Sequence, residues 1–406
     1  MSDHPLIGAS GLTKRFTDGV SILDRLRGRE GSTITAVDDV SLSIERGETV
    51  GLVGESGCGK STTGQLLLGL QEPSAGTVAF DGRPIAAQTA AERRRFRQET
   101  AIVFQEPFSS LDPRMTVEEI ICEPLVVNEI GTERERHNRA RDLLERVELS
   151  AVMAPRYPHE LSGGQCQRVA IARALALEPS FIVLDEPVSA LDVSVQAQIL
   201  SLLAELQDEL ELTYLFITHD LSVVSSLCDR VAVMYLGELV EVGPLERVFD
   251  APAHPYTSAL LESVPRARAN ERDRSIDHLA GALPSPSDPP SGCRFHTRCP
   301  KIIPPADLEI DQATYRAVFR LRSQIERGES VALDEFDCSD CTATVQQAIE
   351  EAIAALETGD RTKALDRLDA TFESVCETTS PDEHTTPHRV SCHLHADADC
   401  RDHNCE

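Results

Sequence analysis

The chain has 406 residues and a formal net charge of −28 at pH 7, with lysine only at Lys14, Lys60, Lys301 and Lys363. That balance excludes a protein that grips nucleic-acid phosphates, which needs clustered Lys and Arg. No apolar run reaches the ~18 residues of a membrane-crossing helix.

Excess carboxylate with little lysine, few aromatics and no Trp reads as a cytosolic surface in a salt-rich cell, where salt screens self-repulsion. The alternative is an ordinary acidic protein. Met1-Ser2-Asp3-His4-Pro5 lacks a basic stretch followed by an apolar one, so no secretory signal is expected. Twelve cysteines in such a chain read as thiols or metal ligands rather than disulfides.

Residues 7–16 and 36–46 read as strands separated by an Arg-rich loop. Phe16, at the end of the first, stands where an adenine could stack, or belongs to the core. Glu48 to Val53 reads as a buried strand, and Thr62 to Leu70 as a helix ending near Gly69. Between them lies Gly54-Glu55-Ser56-Gly57-Cys58-Gly59-Lys60-Ser61, the pattern G-x-x-x-x-G-K-S/T of a phosphate-binding loop. Its glycines let N–H groups face the β- and γ-phosphates, and the helix N-terminus adds partial positive charge. Lys60 supplies a full charge, Ser61 is the expected Mg²⁺ ligand, and the run Gly54–Thr62 is assigned to the nucleotide. Cys58 sits beside Lys60 and a helix N-terminus, both of which favour thiolate. Alkylation there is expected to inactivate the site, with a bound nucleotide protecting.

Gly76 to Gly82 reads as a strand closing in a turn, and Glu92 to Gln98 as a basic, solvated helical turn. Ala101–Phe104 is a short strand ended by Gln105, whose amide can bind a Mg²⁺-water shell and a neighbouring loop. Residues 115–150 alternate at helical spacing. Ser162, Gly163, Gly164 and Gln165 then open the helix Cys166 to Leu177 and form a second anion site of N–H groups and a hydroxyl. Phe181–Leu184 is an all-apolar strand ending in Asp185 and Glu186. There Asp185 can hold Mg²⁺ through water and Glu186 can polarise an attacking water; simple solvation is the alternative. Ser189–Asp192 precede a long helix, Val193 to Glu211, and the strand Tyr214–Thr218 ends at His219, a γ-phosphate contact or a capping residue.

Together these residues resemble the nucleotide-binding subunit of an ATP-binding-cassette (ABC) transporter. Gly54–Ser61 matches the Walker A loop, Gln105 the Q-loop and Leu161–Gln165 the LSGGQ signature. Phe181–Glu186 matches Walker B, Ser189–Asp192 the D-loop and His219 the switch histidine. The resemblance covers roughly residues 5–250. It implies an α/β P-loop fold with a RecA-like core, an antiparallel β subdomain and a helical subdomain around 107–160. It also implies ATP and Mg²⁺ as ligands, and two cassettes that sandwich ATP head to tail. In that arrangement Glu186 orients water, His219 senses the γ-phosphate, and Ser162–Gln165 of one chain complete the phosphate loop of the other.

Beyond the cassette, His254–Leu261, Ser263-Val264-Pro265, Gly292–Pro300 and His388–Leu394 resemble the C-terminal extension of oligopeptide/dipeptide importer ATPases. The domains expected are therefore 1–250 and 251–406. The implied partners are a second ABC ATPase, paralogue or self, two integral membrane permeases and an extracellular solute-binding protein. The implied location is the cytoplasmic face of the membrane, with no nucleic-acid partner. An importer of nickel or sugar, or a non-transport ABC ATPase, is the alternative. In many members four cysteines of this extension hold a 4Fe–4S cluster. Here Cys293 and Cys299 match the first pair and Cys392 the last, while the third position falls near Ala306. A helical insertion over about 301–387 intervenes, with segments Gln312–Arg327, Thr344–Leu356 and Thr362–Cys376. Cys338 or Cys341 could supply the missing thiolate; cluster, zinc and free thiols stay open. The Cys- and His-bearing tail from Cys392 to Cys405 reads as a weak metal binder or disordered.

Overall fold

Strand alternation and apolar runs resolve into two sheets in the computed structural model, which describes residues 4–17, 33–262, 283–328, 341–385 and 388–396. The chain forms two compact units, Met1–Ala251 and Pro252–Glu406. Cys338, Ser263–Pro265 and the tail after Ala396 lie outside the described residues.

In the first unit, β1 (Ile7–Thr17), β2 (Thr33–Ile44), β4 (Ala75–Phe80) and β5 (Arg83–Pro84) make an antiparallel sheet in the order β2-β1-β4-β5. The second sheet runs β10-β9-β3-β8-β7-β6 within this unit. Its members are β3 (Thr49–Val53), β6 (Thr100–Val103), β7 (Phe181–Asp185), β8 (Thr213–Thr218), β9 (Arg230–Tyr235) and β10 (Glu238–Pro244). All neighbours pair in parallel except β9 with β10. Every residue of β3, β7 and β8 is buried, as in parallel strands covered on both faces.

Helices α1 (Lys60–Leu67) and α2 (Ala90–Glu99) are followed by the short α3 (Pro107–Ser110). Then come α4 (Val117–Val127), α5 (Glu133–Arg146) and α6 (Gly163–Leu175). The last three pack on one another, so the helical layer runs past residue 160 and takes in the helix that Ser162 opens. Thr89, Thr116, Thr132 and Ser162 each close a capping box with the Glu or Gln three residues on. Each such cap contributes about 1 kcal/mol and fixes where its helix starts. Helices α7 (Val193–Leu210), α8 (Leu221–Leu227) and α9 (Leu245–Asp250) complete the unit.

The second unit contains α10 (Pro255–Glu262), α11 (Gln312–Glu326), α12 (Ala343–Glu357) and α13 (Arg361–Phe372). A turn of helix, α14 (Val375–Thr378), and a hairpin of β11 (Glu383–His384) and β12 (Arg389–Ser391) follow. Tyr315, Val318, Leu321 and Ile325 of α11 share a core with Val345, Ile349 and Ala352 of α12 and Leu368 and Phe372 of α13. Spacings of three and four put each set on one helix face. Arg322 is buried beside this core, donating from Nε to Asp369 Oδ1 at 2.9 Å and from Nη1 to Glu377 Oε2 at 3.1 Å. The sequence predicts a helix through Cys376, yet α13 stops at Phe372. Ser374 and Glu377 form a capping box that starts a new helical turn, α14, and Cys376 lies on it.

Candidate active site

Between β3 and α1 the chain turns through Gly54–Gly59. A side chain at Gly54 would stand 2.1 Å from Met234 O, and one at Gly59 2.1 Å from Ala36 O, both at positive φ. Only glycine fits that approach of backbone to backbone. Gly59 is also the N-cap of α1 and offers no capping side chain, which leaves the first N–H groups of the helix to face the loop. Lys60 is buried at 5% exposure and arches over the loop, donating to Gly54 O at 2.9 Å and Glu55 O at 3.0 Å.

Three neighbouring parallel strands deliver the polar groups at their carboxyl ends, where α/β sheets bind ligands. Asp185 ends β7, and the Ser61 hydroxyl donates to its Oδ1 at 2.9 Å. Burial pushes the Asp185 carboxyl up, with Glu186 adding to it, while the Ser61 hydrogen bond and Lys60 oppose. Glu186 follows in the left-handed region at φ 48°, which costs an ordinary residue about 1–2 kcal/mol. Its N–H donates to Ile217 O at 2.9 Å, anchoring the turn to β8. Its carboxylate is held on both oxygens. Gln105 Nε2, beyond β6, donates to Oε2 at 2.8 Å, and His219 Nδ1, beyond β8, lies 3.1 Å from Oε1. Glu186 is largely sheltered at 13% side-chain exposure and His219 open at 55%.

So the structure brings Gly54–Ser61, Gln105, Asp185, Glu186 and His219 to one place. Ser162–Gln165 take no part in those bonds: the Ser162 N–H donates to Gln165 Oε1 at 3.0 Å and the Gln165 N–H to Ser162 Oγ at 3.3 Å. Gly164 packs on α7, where an added Cβ would meet Val195 Cγ1 at 2.6 Å. Phe16 is 40% exposed, with Lys14 Nζ 5.3 Å from its ring centroid. The thiolate expected at Cys58 is overturned. The side chain is 1% exposed, and burial pushes the thiol up more strongly than Lys60 and the N–H groups pull it down.

In the second unit Cys293, Cys299, Cys376 and Cys392 are not joined in disulfides. Cys341 is disulfide-bonded and so does not supply the missing thiolate. Among the described residues no three His, Cys, Asp or Glu converge as the ligands of a single ion would. Cys376 lies on the turn that Ser374 and Glu377 start by closing a capping box.

A phosphate loop after β3, carboxylates at the end of β7 on the far side of β8, and a separately capped signature helix define an ABC-type ATP-binding cassette. Residues 37–189 match the family model described as ABC transporter, and 240–304 the one described as oligopeptide/dipeptide transporter, C-terminal region. Residues 312–389 match a domain of unknown function. A putative peptide import ATP-binding protein of Brucella ovis is 51% identical over 304 residues, 75% of this chain and 92% of that protein. The oligopeptide transport ATP-binding protein AppF of Bacillus subtilis is 52% identical over 276 residues, 67% of this chain and 83% of its own. Among solved structures, a dimeric ATP-binding cassette in a post-hydrolysis state bound to ADP and Pi is similar. It matches with TM-score 0.52 and 33% identity over 59% of this chain and 98% of that one. The chain belongs to the ATP-binding proteins of ABC peptide importers, and it is an ATPase. Among the described residues no helix is long and apolar enough to cross a membrane.

Proposed function

We propose that this chain hydrolyses MgATP at a site that a second cassette completes, and that the cycle drives dipeptide or oligopeptide uptake through two separate permease subunits. The chain would work at the cytoplasmic face, with a solute-binding protein outside. The observation that carries the chemistry is Glu186, held on one oxygen by Gln105 and on the other by His219, beside the Ser61–Asp185 pair. Ser61 and Asp185 are the hard oxygen donors that suit Mg²⁺, with Gln105 reaching its water shell. Lys60 neutralises charge on the phosphates, and Glu186 takes the proton of an attacking water that Gln105 and His219 keep aligned. Phe16 supplies a face for the adenine. Ser162, whose hydroxyl accepts from the Gln165 N–H, would meet a phosphate on the partner cassette; the similar solved cassette is a dimer.

Glu186→Gln in the purified importer should lower hydrolysis by about 10²–10³-fold, within the range for losing a general base. ATP should still bind, and the variant should accumulate as paired cassettes. A variant that stays unpaired with ATP, alone and beside its membrane subunits, sinks the two-cassette site.

Cys293, Cys299 and Cys392, none of them in a disulfide, support a second reading, a 4Fe–4S cluster in the C-terminal unit. Such a cluster would join distant segments through iron–thiolate bonds. The acidic surface supports work at high salt, tested by stability rising with KCl.

A further inference from the structure

We propose that Cys376, carried in by the inserted helices, is the fourth thiolate of that cluster, beside Cys293, Cys299 and Cys392. The inference rests on the cluster reading just given. The helical turn Val375–Thr378 is where the three other cysteine segments converge. Cys293 N donates to Cys376 O at 2.8 Å, and Ser291 Oγ to Glu377 O at 2.8 Å. The approach is so close that a Cβ on Gly292, at φ +63°, would lie 2.6 Å from Cys376 O. Ser374 Oγ donates to Ile303 O at 2.6 Å, which ties the stretch just after Cys299 to the same turn. His393 Nε2, next to Cys392, lies 2.9 Å from Thr379 O. Cys293, Cys376 and Cys392 are all near enough to Cys299 to act on it electrostatically.

Burial in the apolar bundle would also suit Cys376 as a small hydrophobe. That reading does not account for three other thiol-bearing segments docking on one turn, with none of the four cysteines in a disulfide. Crowded thiolates repel one another, and a cationic iron core offsets the repulsion. The insertion thus replaces the ligand missing near Ala306 and becomes cross-linked to the extension it interrupts.

The test uses the full chain, co-expressed with its membrane subunits and purified without oxygen. Iron, acid-labile sulfide, zinc and the visible thiolate-to-iron absorbance are measured for wild type, Cys376→Ala and the double variant Cys338→Ser/Cys341→Ser. Wild type and the double variant should carry about four iron per chain, and Cys376→Ala should lose the absorbance and most of the iron. Iodoacetamide mapping of the unsubstituted chain guards against misfolding. Cys293, Cys299, Cys376 and Cys392 should be protected while iron is bound and labelled after it is stripped. A fully loaded Cys376→Ala, or Cys376 labelled while the other three stay protected, overturns the inference and leaves the cluster reading standing. Wild type with zinc or no metal overturns the cluster reading and the inference together.

Discussion

Replacing Gly164 by Ala places a methyl carbon 2.6 Å from Val195 Cγ1, well inside van der Waals contact. Val195 is β-branched and sits two residues into α7, whose start is pinned by Asp192 accepting from the N–H groups of Ser194 and Val195 at 3.1 and 3.0 Å. A β-branched residue in a helix strongly prefers one χ1 rotamer, so turning the side chain away is itself unfavourable. Overpacking of this kind costs about 1–3 kcal/mol, and replacing a helical Gly by Ala returns up to about 1. The net loss expected is therefore about 0–3 kcal/mol, at about 2–4 °C of melting temperature per kcal/mol. The sensitive quantity is the coupling with Val195→Ala, expected at about 1–3 kcal/mol in a double-mutant cycle of thermal unfolding. Hydrolysis is followed in the same four proteins. Recovery of stability and hydrolysis together assigns Gly164 to helix packing. Recovery of stability alone assigns it to the approach of a phosphate. A coupling under about 0.5 kcal/mol, the ordinary scatter of independent sites, would refute the contact.

Burial, with His395 nearby, pushes the His254 imidazole down to about 3, and its Nδ1 accepts from Tyr256 N at 3.0 Å. Below the unfolded value of about 6.5 the unfolded chain binds a proton that the folded one refuses, so this stability is complete above about 6.5 and lost as pH falls. Unfolding free energies should drop by about 2 kcal/mol between pH ~6.5 and ~5, and less in His254→Gln; equal slopes place the acid sensitivity elsewhere. Cys58 should react with iodoacetamide more slowly than an exposed thiol, and Cys58→Ser should keep most of the hydrolysis; rapid inactivation that MgATP prevents would restore the thiolate reading. Arg322→Ala should destabilise the second unit by about 3 kcal/mol in denaturant titrations, because it leaves the Glu377 carboxylate, at 14% side-chain exposure, without its counter-charge and with the Ser374 N–H bond remaining. Asp369, 43% exposed, stays hydrated, so Glu377→Gln added to Arg322→Ala should recover more than Asp369→Asn.

The sequence by itself determined the cassette and its chemistry, because each motif there is local. Glycines, a lysine and a serine within one turn, or two carboxylates ending an apolar strand, carry their meaning within a few residues. Local patterns also announced the inserted helices, although they carry the third through Cys376 and it stops at Phe372. What needed tertiary structure was every relation between distant segments. Gln105 and His219 meet Glu186 only because β6 and β8 flank β7, and that order is set by crossovers no short window contains. Cys58 reads as a thiolate from its neighbours in sequence, but burial, a property of the whole core, reverses the sign. Cys341 fits a ligand by spacing and is disulfide-bonded instead, whereas Cys376 is brought against Cys293 by a helical bundle and a backbone hydrogen bond. Ligand sets depend on distances through space, and chain separation says little about those once folding has paired remote segments.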